Sequence, residues 1–116
     1  MKNILNLNDD LIEKITGMIK TPIRQLMGDN VMDIILFGSC ARGDYDNESD
    51  IDIAIITKTG RQENASYRMG LAEIAADVAM EYFAVVNFLC IPDKEYMERK
   101  NWYELYKNIE LEGKVI

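Results

Sequence analysis

The stretch from Ile35 to Ile56, ILFGSCARGDYDNESDIDIAII, contains two apolar runs separated by a short polar loop. Runs of β-branched and large apolar residues of this length are typical of buried strands, so we expect two strands that belong to one sheet. Asp50 and Asp52 lie at the beginning of the second run, with a single isoleucine between them. Because side chains alternate between the two faces of a strand, we expect both carboxylates on the same side of that sheet.

Helical and strand patterns follow one another along the rest of the chain in the order α-β-β-α-β-α. The predicted elements are a helix within 7–30, strands at 31–38 and 50–57, a helix at 65–82, a strand at 84–91, and a helix or helix pair at 93–111. Asn8 or Asp9 can cap the first helix, and Gly28 can end it. The pattern predicts an α/β (α+β) fold in which helices pack on one sheet, with residues 1–116 as a single domain.

Composition excludes several classes of function. The net charge of −7 over 116 residues argues against a nucleic-acid partner and leaves a basic protein partner open. The chain contains no histidine, which excludes a Ser-His-Asp triad, a Cys-His dyad and a histidine-ligated zinc ion. Cys40 and Cys90 are expected to be free thiols. Without a long apolar run or a signal-peptide pattern in the N-terminal segment, we expect no membrane association and a cytoplasmic location.

The two aspartates require something that offsets their mutual repulsion. Two carboxylates about 5 Å apart repel by roughly 3 kcal/mol at an effective dielectric constant of 20. A divalent cation removes this cost, and hard carboxylate oxygens suit Mg²⁺. The alternative is that Asp50 and Asp52 are both solvated at the end of a strand, where no ion is needed.

The loop between the strands carries residues that suit a phosphate group. Gly38 allows the backbone to approach a phosphate closely, and the hydroxyl group of Ser39 lies where a helical turn can begin. Arg42 can donate two hydrogen bonds to phosphate oxygens. The alternative is an ordinary glycine turn. Taken together, a phosphate-binding loop and a metal-binding acid pair predict a site for a nucleoside triphosphate with Mg²⁺.

These motifs resemble the signature of the minimal nucleotidyltransferases, a group within the polymerase-β-type nucleotidyltransferase superfamily. The family pattern is Gly-Ser-x-Ala-Arg-Gly, followed by Ser-Asp-hydrophobic-Asp-hydrophobic. Every fixed position is filled in this chain, by Gly38, Ser39, Ala41, Arg42, Gly43, Ser49, Asp50 and Asp52. The C-terminal WYELYKNIELEGKVI also resembles the closing helix of that family, so the resemblance covers nearly the whole chain.

The resemblance implies a small nucleotidyltransferase fold with a mixed sheet. It implies that Asp50 and Asp52 are catalytic and bind Mg²⁺. It also implies that the triphosphate is held by residues of the loop, namely Gly38, Ser39, Arg42, Gly43 and Ser49. The implied reaction moves a nucleoside monophosphate, here AMP from ATP, onto a hydroxyl group. Many relatives are antitoxins of helical HEPN-type toxins, and some adenylylate a toxin tyrosine.

The chain departs from the family pattern at the third acid, which relatives carry on a later strand. Val85 or Asn87 occupies that position here, and Glu81 and Asp93 could reach the site only in another register. We predict that Asn87 lines the acid pocket as a metal ligand, through its carbonyl oxygen. Because an amide cannot accept the proton, the alternative to a working enzyme is a protein that neutralises its partner by binding alone.

Other candidate residues have plain structural explanations. Cys40 would be reactive only if its position at a helix start lowered its pKa, and Cys90 is expected in the core. Four aromatic residues are expected to lie mostly in the core, with any exposed part suited to a protein partner or a homo-oligomer: Tyr96, Trp102, Tyr103 and Tyr106. Modification of a small molecule, as in antibiotic nucleotidyltransferases, would need an acceptor-binding domain for which this length leaves no room.

Overall fold

The computed structural model describes residues 6–116; residues 1–5, which the predicted single domain and the N-terminal segment include, lie outside that range. The helices are α1 (Asp9–Met27), α2 (Ser39–Arg42), α3 (Arg61–Ala65), α4 (Arg68–Tyr82), α5 (Asp93–Arg99) and α6 (Glu104–Glu112). The strands are β1 (Val31–Phe37), β2 (Ile51–Thr57), β3 (Val86–Pro92) and β4 (Lys114–Val115). In the described range, no helix is both long enough and apolar enough to cross a membrane.

The four strands form one mixed sheet in the order β3-β2-β1-β4. Strand β1 runs antiparallel to β2 and to β4, and β2 runs parallel to β3. In the register of the sheet, Asp52 pairs with Phe37 on one side and with Asn87 on the other. The end of β1 and the starts of β2 and β3 therefore meet at one edge of the molecule, and the predicted mixed α+β architecture is confirmed.

Helix α1 forms where the sequence predicts it. The side chain of Asn8 caps the helix by accepting a hydrogen bond from the backbone N–H of Leu11 at 2.9 Å. Every fourth residue from position 15 to 23 is fully buried, namely Ile15, Ile19 and Ile23. Gly28, with a φ of 60°, ends the helix in the left-handed region that glycine adopts without strain.

The sheet separates two apolar clusters, which fixes the face on which the acids lie. The larger cluster contains Ile51, Ile53 and Ile55 and packs against α1 and α4. The smaller cluster contains Ala54 and Ile56 and packs against α5 and α6. Strand alternation places Asp52 on the face of the smaller cluster, beyond its polar end. The charged Asp52 is tolerated at this position because β2 begins at the surface.

Two elements differ from the predicted ones. The helix predicted at 65–82 is preceded by the short α3, whose Asn64 is buried; its amide donates to the Thr57 hydroxyl at 2.8 Å and accepts from the Thr59 hydroxyl at 2.6 Å. This network fixes α3 to the end of β2, so the chain turns before α4 begins. Strand β4 was not predicted, because two residues are too short to show a pattern. The C-terminal segment forms a helix pair, one of the two predicted forms.

Candidate functional site

Sheet topology brings the predicted acids and the glycine loop together. Asp50 immediately precedes β2, and Asp52 is the second residue of that strand. Because β1 is antiparallel to β2, the Gly38–Ser39 bend that follows β1 lies beside the start of β2. Because β3 is parallel to β2, Asn87 lies beside Asp52. Three separate parts of the chain thus supply one surface.

Asn87 contacts both aspartates. Its Nδ2 donates a hydrogen bond to Asp50 Oδ2 at 2.9 Å and to Asp52 Oδ1 at 3.3 Å. The two carboxylates therefore converge on a single nitrogen atom, on the same side of the sheet. Val85, the other candidate for this position, precedes β3 and accepts from the N–H of Ile51 through its backbone carbonyl at 2.8 Å. The structure places Asn87 in the acid pocket as predicted, while its role as a metal ligand stays a prediction.

Gly38 touches the acid pair through its backbone. It has a φ of 76°, and a Cβ atom built on it would lie 2.6 Å from Asp52 Oδ2. No side chain fits in this space without moving the carboxylate. The glycine is therefore required both for its left-handed conformation and for the close approach of the bend to Asp52.

The short helix α2 orients the remaining loop residues. The N–H groups of Ala41 and Arg42 donate to the carbonyl of Gly38, and Gly43, with a φ of 90°, donates to the carbonyl of Ser39. Because these amides are used within the turn, a phosphate at this bend would rely on the Ser39 hydroxyl and the N–H groups at the helix start. Gly43 contributes by ending α2, which is a structural role.

Arg42 lies at the exposed end of α2 between two carboxylates. Its Nε contacts Asp44 at 3.2 Å, and its Nη1 contacts Glu112 at 3.6 Å. Hydrogen bonding to Asp44 is the main cause that raises the pKa of Arg42, so the guanidinium stays charged. A triphosphate would have to replace these exposed ion pairs, which contribute little to stability.

Ser49 is the predicted site residue that the structure uses in another way. Its hydroxyl accepts from the N–H of Asp46 at 3.0 Å and donates to Asp46 Oδ1 at 3.3 Å. The same Asp46 carboxylate accepts from the N–H of Glu48. These bonds close the loop that delivers Asp50 to the sheet, so Ser49 supports the acid rather than facing the bend.

The surroundings of Asp52 disfavour its charged form. Burial is the main cause that raises the pKa of Asp52, and the charge of Asp50 also raises it. The Asn87 hydrogen bond and the charge of Arg42 oppose the shift. Burial, followed by the charge of Asp52, raises the pKa of the Cys40 thiol to about 11. These effects favour the neutral thiol, which donates to the carbonyl of Asp50 at 3.5 Å, and they run against an activated Cys40.

The donor set fits a hard divalent cation. Two carboxylates converge on the space that the Asn87 amide nitrogen now fills, and rotation of that amide would present its carbonyl oxygen instead. Carboxylate and amide oxygens are ligands that Mg²⁺ accepts, with water completing its shell. Within residues 6–116 no group of three or more His, Cys, Asp or Glu side chains could hold a metal, in keeping with an amide at the third position.

One cavity borders this edge of the molecule, and a second lies away from it along β3. One, of about 180 Å³, lies next to Asp50 and is lined by Leu7, Leu11, Asn47, Glu48, Ser49, Tyr82, Phe83, Ala84 and Val85. A larger cavity of about 320 Å³ lies beside β3 around Arg61, Arg68 and Phe88, away from the acid pair. Sequence reasoning identified Val85 but not Phe83, because no residue pattern marks the loop after α4 as lying near the acids.

The chain is similar to known nucleotidyltransferases in sequence. Residues 17–113 match the family model described as the nucleotidyltransferase domain. A protein of Methanocaldococcus jannaschii, provisionally named a protein adenylyltransferase, is 34% identical over 83 residues, which are 72% of this chain and 75% of that protein.

Solved structures show a similar fold. A provisionally named nucleotidyltransferase from Sulfolobus solfataricus superimposes with a TM-score of 0.57 at 19% identity, covering 97% of this chain and 90% of that chain. A chain in the complex of the tri-AMPylated Shewanella oneidensis HEPN toxin with MNT antitoxin gives a TM-score of 0.55 at 18% identity, covering 90% of this chain and 70% of that one. At these identities the likeness concerns the fold, and it agrees with the small nucleotidyltransferase fold predicted from the sequence.

Proposed function

The chain belongs to the nucleotidyltransferase domain family, and on that premise we propose that it transfers AMP from ATP onto a hydroxyl group of a HEPN-type toxin. In this proposal Mg²⁺ is held by Asp50 and Asp52, and the transfer neutralises the toxin, so that the chain acts as a cytoplasmic antitoxin. We also propose that residues 1–116 form a single nucleotidyltransferase domain.

The observation that carries the proposal is the convergence of Asp50 and Asp52 on one point beside the Gly38 bend. A metal-bound triphosphate needs both parts at once, because the acids hold the ion and the bend holds phosphate oxygens. The name of the M. jannaschii relative supports protein adenylylation. The AMPylated HEPN toxin in the Shewanella complex supports the choice of nucleotide and of partner.

The reaction assigns a task to each residue. The hydroxyl oxygen of the acceptor attacks the α-phosphorus of ATP, the bond from that phosphorus to the bridging oxygen breaks, and pyrophosphate leaves. Ser39 and Arg42 bind the β- and γ-phosphates and keep the leaving group in line with the attack. Asp50 and Asp52 would hold Mg²⁺, which would supply positive charge for the developing negative charge on the phosphate oxygens. Asn87 cannot accept the acceptor's proton, which leaves to water or to a group of the partner.

The test is transfer of labelled AMP. The purified chain is incubated with α-labelled ATP, Mg²⁺ and a HEPN-type toxin from the same organism. We expect label on that protein, and a loss of roughly 10²–10³-fold in rate when Asp50→Asn and Asp52→Asn are combined, since charge stabilisation of this kind is worth several kcal/mol. Asp33→Asn is the matched control, because Asp33 is an exposed carboxylate on β1 far along the register from the site. Absence of label with the wild-type chain at high Mg²⁺, or unchanged transfer by the double variant, contradicts the proposal.

The second candidate function is neutralisation by binding alone. It is favoured by Asn87, which replaces a carboxylate and satisfies both acids without any ion. Growth in cells that express the toxin separates the two functions. Rescue by the double aspartate variant as complete as rescue by the wild type supports binding alone, and loss of rescue supports transfer.

A further inference from the structure

Phe83 adopts a backbone conformation that a bulky residue rarely takes. It has a φ of 56° and a ψ of 31° at the C-terminal end of α4, and it is the one non-glycine residue within 6–116 with a positive φ. Its side chain is 68% exposed. Glycine or asparagine would end the helix at this point with less strain. Phe83 thus combines backbone strain with an exposed aromatic ring, and neither feature stabilises the fold. This combination indicates a functional role for the residue, such as binding.

Phe83 is one of three exposed apolar residues between the end of α4 and the start of β3. Met80, one turn earlier on α4, is 80% exposed, and Val85 is 53% exposed. We call these three residues, Met80, Phe83 and Val85, the Phe83 rim. Phe83 and Val85 line the cavity of about 180 Å³ whose wall includes Asp50. A partner segment that covers Phe83 and Val85 therefore lies next to Asp50, at the edge of the candidate active site.

The charge around the rim is negative. The charged residues that line the shared cavity are Glu48 and Asp50, and no Lys or Arg lines it within the described part of the chain. The adjoining loop adds the exposed Asp46, and the net charge of the whole chain is −7. A partner that buries the rim is favoured if it brings positive charge around an apolar centre.

We propose that the Phe83 rim is the docking surface for a segment of the acceptor protein with apolar side chains at its centre and Lys or Arg at its margins. This inference rests on the proposed function, because it assigns the surface that delivers the acceptor hydroxyl to Asp50 and Asp52. The adenine ring of ATP is the competing occupant. A protein segment is favoured because the rim is made of outward-facing side chains flanked by acids, whereas one base would cover only part of it.

Substitution of Phe83 should weaken partner binding without lowering the stability of the fold. Phe83→Gly removes the ring and relieves the left-handed strain, so its melting temperature should equal or exceed that of the wild type. Its affinity for the HEPN-type toxin used in the transfer assay should fall about tenfold or more, as should that of Met80→Ser. Met69→Ser is the matched control, because Met69 lies on the same helix with 78% exposure and outside the rim. Phe83→Tyr keeps an aromatic ring and should keep most of the affinity.

Two calorimetric titrations distinguish the outcomes. The first measures the affinity of the chain for the HEPN-type protein without ATP, and the second measures its affinity for ATP with Mg²⁺. Unchanged affinity for the HEPN-type protein in both Phe83→Gly and Met80→Ser overturns the inference. A loss confined to ATP affinity overturns it in favour of adenine stacking, and loss of a wild-type self-association overturns it in favour of an interface between copies. A wild-type chain that does not bind the HEPN-type protein overturns the surface together with the proposed partner. Rim-dependent binding without AMP transfer supports the docking surface and contradicts the proposed transfer alone.

Discussion

The parallel strands β2 and β3 have carboxylates at both ends, and the two ends treat them differently. At the far end, Glu95 of α5 receives two hydrogen bonds of 2.7 Å from Arg61, one from the hydroxyl of Tyr106, and a contact with Arg99 at 4.0 Å. Hydrogen bonding to Arg61 is the main cause that lowers the pKa of Glu95 to about 2. The negative charge of Glu95 is thus compensated by two guanidinium groups of the same chain, those of Arg61 and Arg99.

At the near end, Asp50 and Asp52 share one neutral amide from Asn87. The pKa of Asp52 moves in the opposite direction from that of Glu95, because burial and the neighbouring Asp50 both disfavour its charge. This difference indicates that the Glu95 site is structural and that the site of Asp50 and Asp52 is the candidate for binding a ligand. The carboxylate of Glu95 is paired within the chain, and it connects helices α3, α5 and α6. For the pair of Asp50 and Asp52, which only the Asn87 amide and the more distant charge of Arg42 compensate, we expect a divalent cation as the partner.

The largest expected effect concerns metal binding. Mg²⁺ with a non-hydrolysable ATP analogue should stabilise the wild-type chain by about 2.7 kcal/mol when the ligand is at a hundredfold excess over its Kd. Asp50→Asn combined with Asp52→Asn should remove this stabilisation, and Glu95→Gln should keep it. Thermal denaturation with and without ligand measures the difference. Equal ligand stabilisation in the double variant and the wild type would remove the distinction between the two ends.

The next effect concerns the amide that replaces the third acid. Asn87→Asp places a third negative charge beside Asp50 and Asp52, and repulsion in this exposed setting should lower the metal-free free energy of unfolding by about 2 kcal/mol. The same change should raise Mg²⁺ affinity by about tenfold or more, because ligand charge increases affinity for a hard cation. Denaturant unfolding in chelator and Mg²⁺ titration test both halves.

Asn87→Ala is the control for that variant, because it removes the amide without adding charge. If the two substitutions had the same effect on Mg²⁺ affinity, the side chain of residue 87 would not face the ion.

The sequence predicts the arrangement of Asp50, Asp52 and Asn87 because that arrangement depends on local strand patterns. Alternation along β2 places Asp50 and Asp52 on one face, and the position of Asn87 follows from counting along β3. The Glu95–Arg61 pair joins residues 34 positions apart, and only the packing of α3 beside α5 makes it visible. Ser49 bonds to Asp46 because of the path of the loop, which the motif does not encode.

The third prediction compares the stabilities of single variants without metal. Glu95→Gln should lower the free energy of unfolding by about 1 kcal/mol, since a charge-assisted hydrogen-bond network loses its charge while partly screened by solvent. Asp52→Asn should raise it by up to about 1 kcal/mol, because it removes a carboxylate that is disfavoured in the folded state. Chemical denaturation at pH 7 with chelator present checks the opposite signs, and a destabilised Asp52→Asn would show that its carboxylate is already neutralised by a group of the chain.

The smallest expected effect is the pH dependence of these two differences. The folded-state pKa of Glu95 is lowered, so its charge stabilises the fold above the unfolded value of 4.5, and this contribution is lost as the pH falls from 4.5 towards about 2. The folded-state pKa of Asp52 is raised above 3.8, so the cost of its charge is present at neutral pH and disappears as the pH falls through the raised value. The destabilisation by Glu95→Gln and the stabilisation by Asp52→Asn should therefore both shrink towards zero in acid, from opposite sides, and the Asp52→Asn difference should shrink at the higher pH. Melting temperatures of the wild type and both variants from pH 7 to pH 3 measure this order. Its reversal would mean that internal charge compensates the near end of the strands better than the far end.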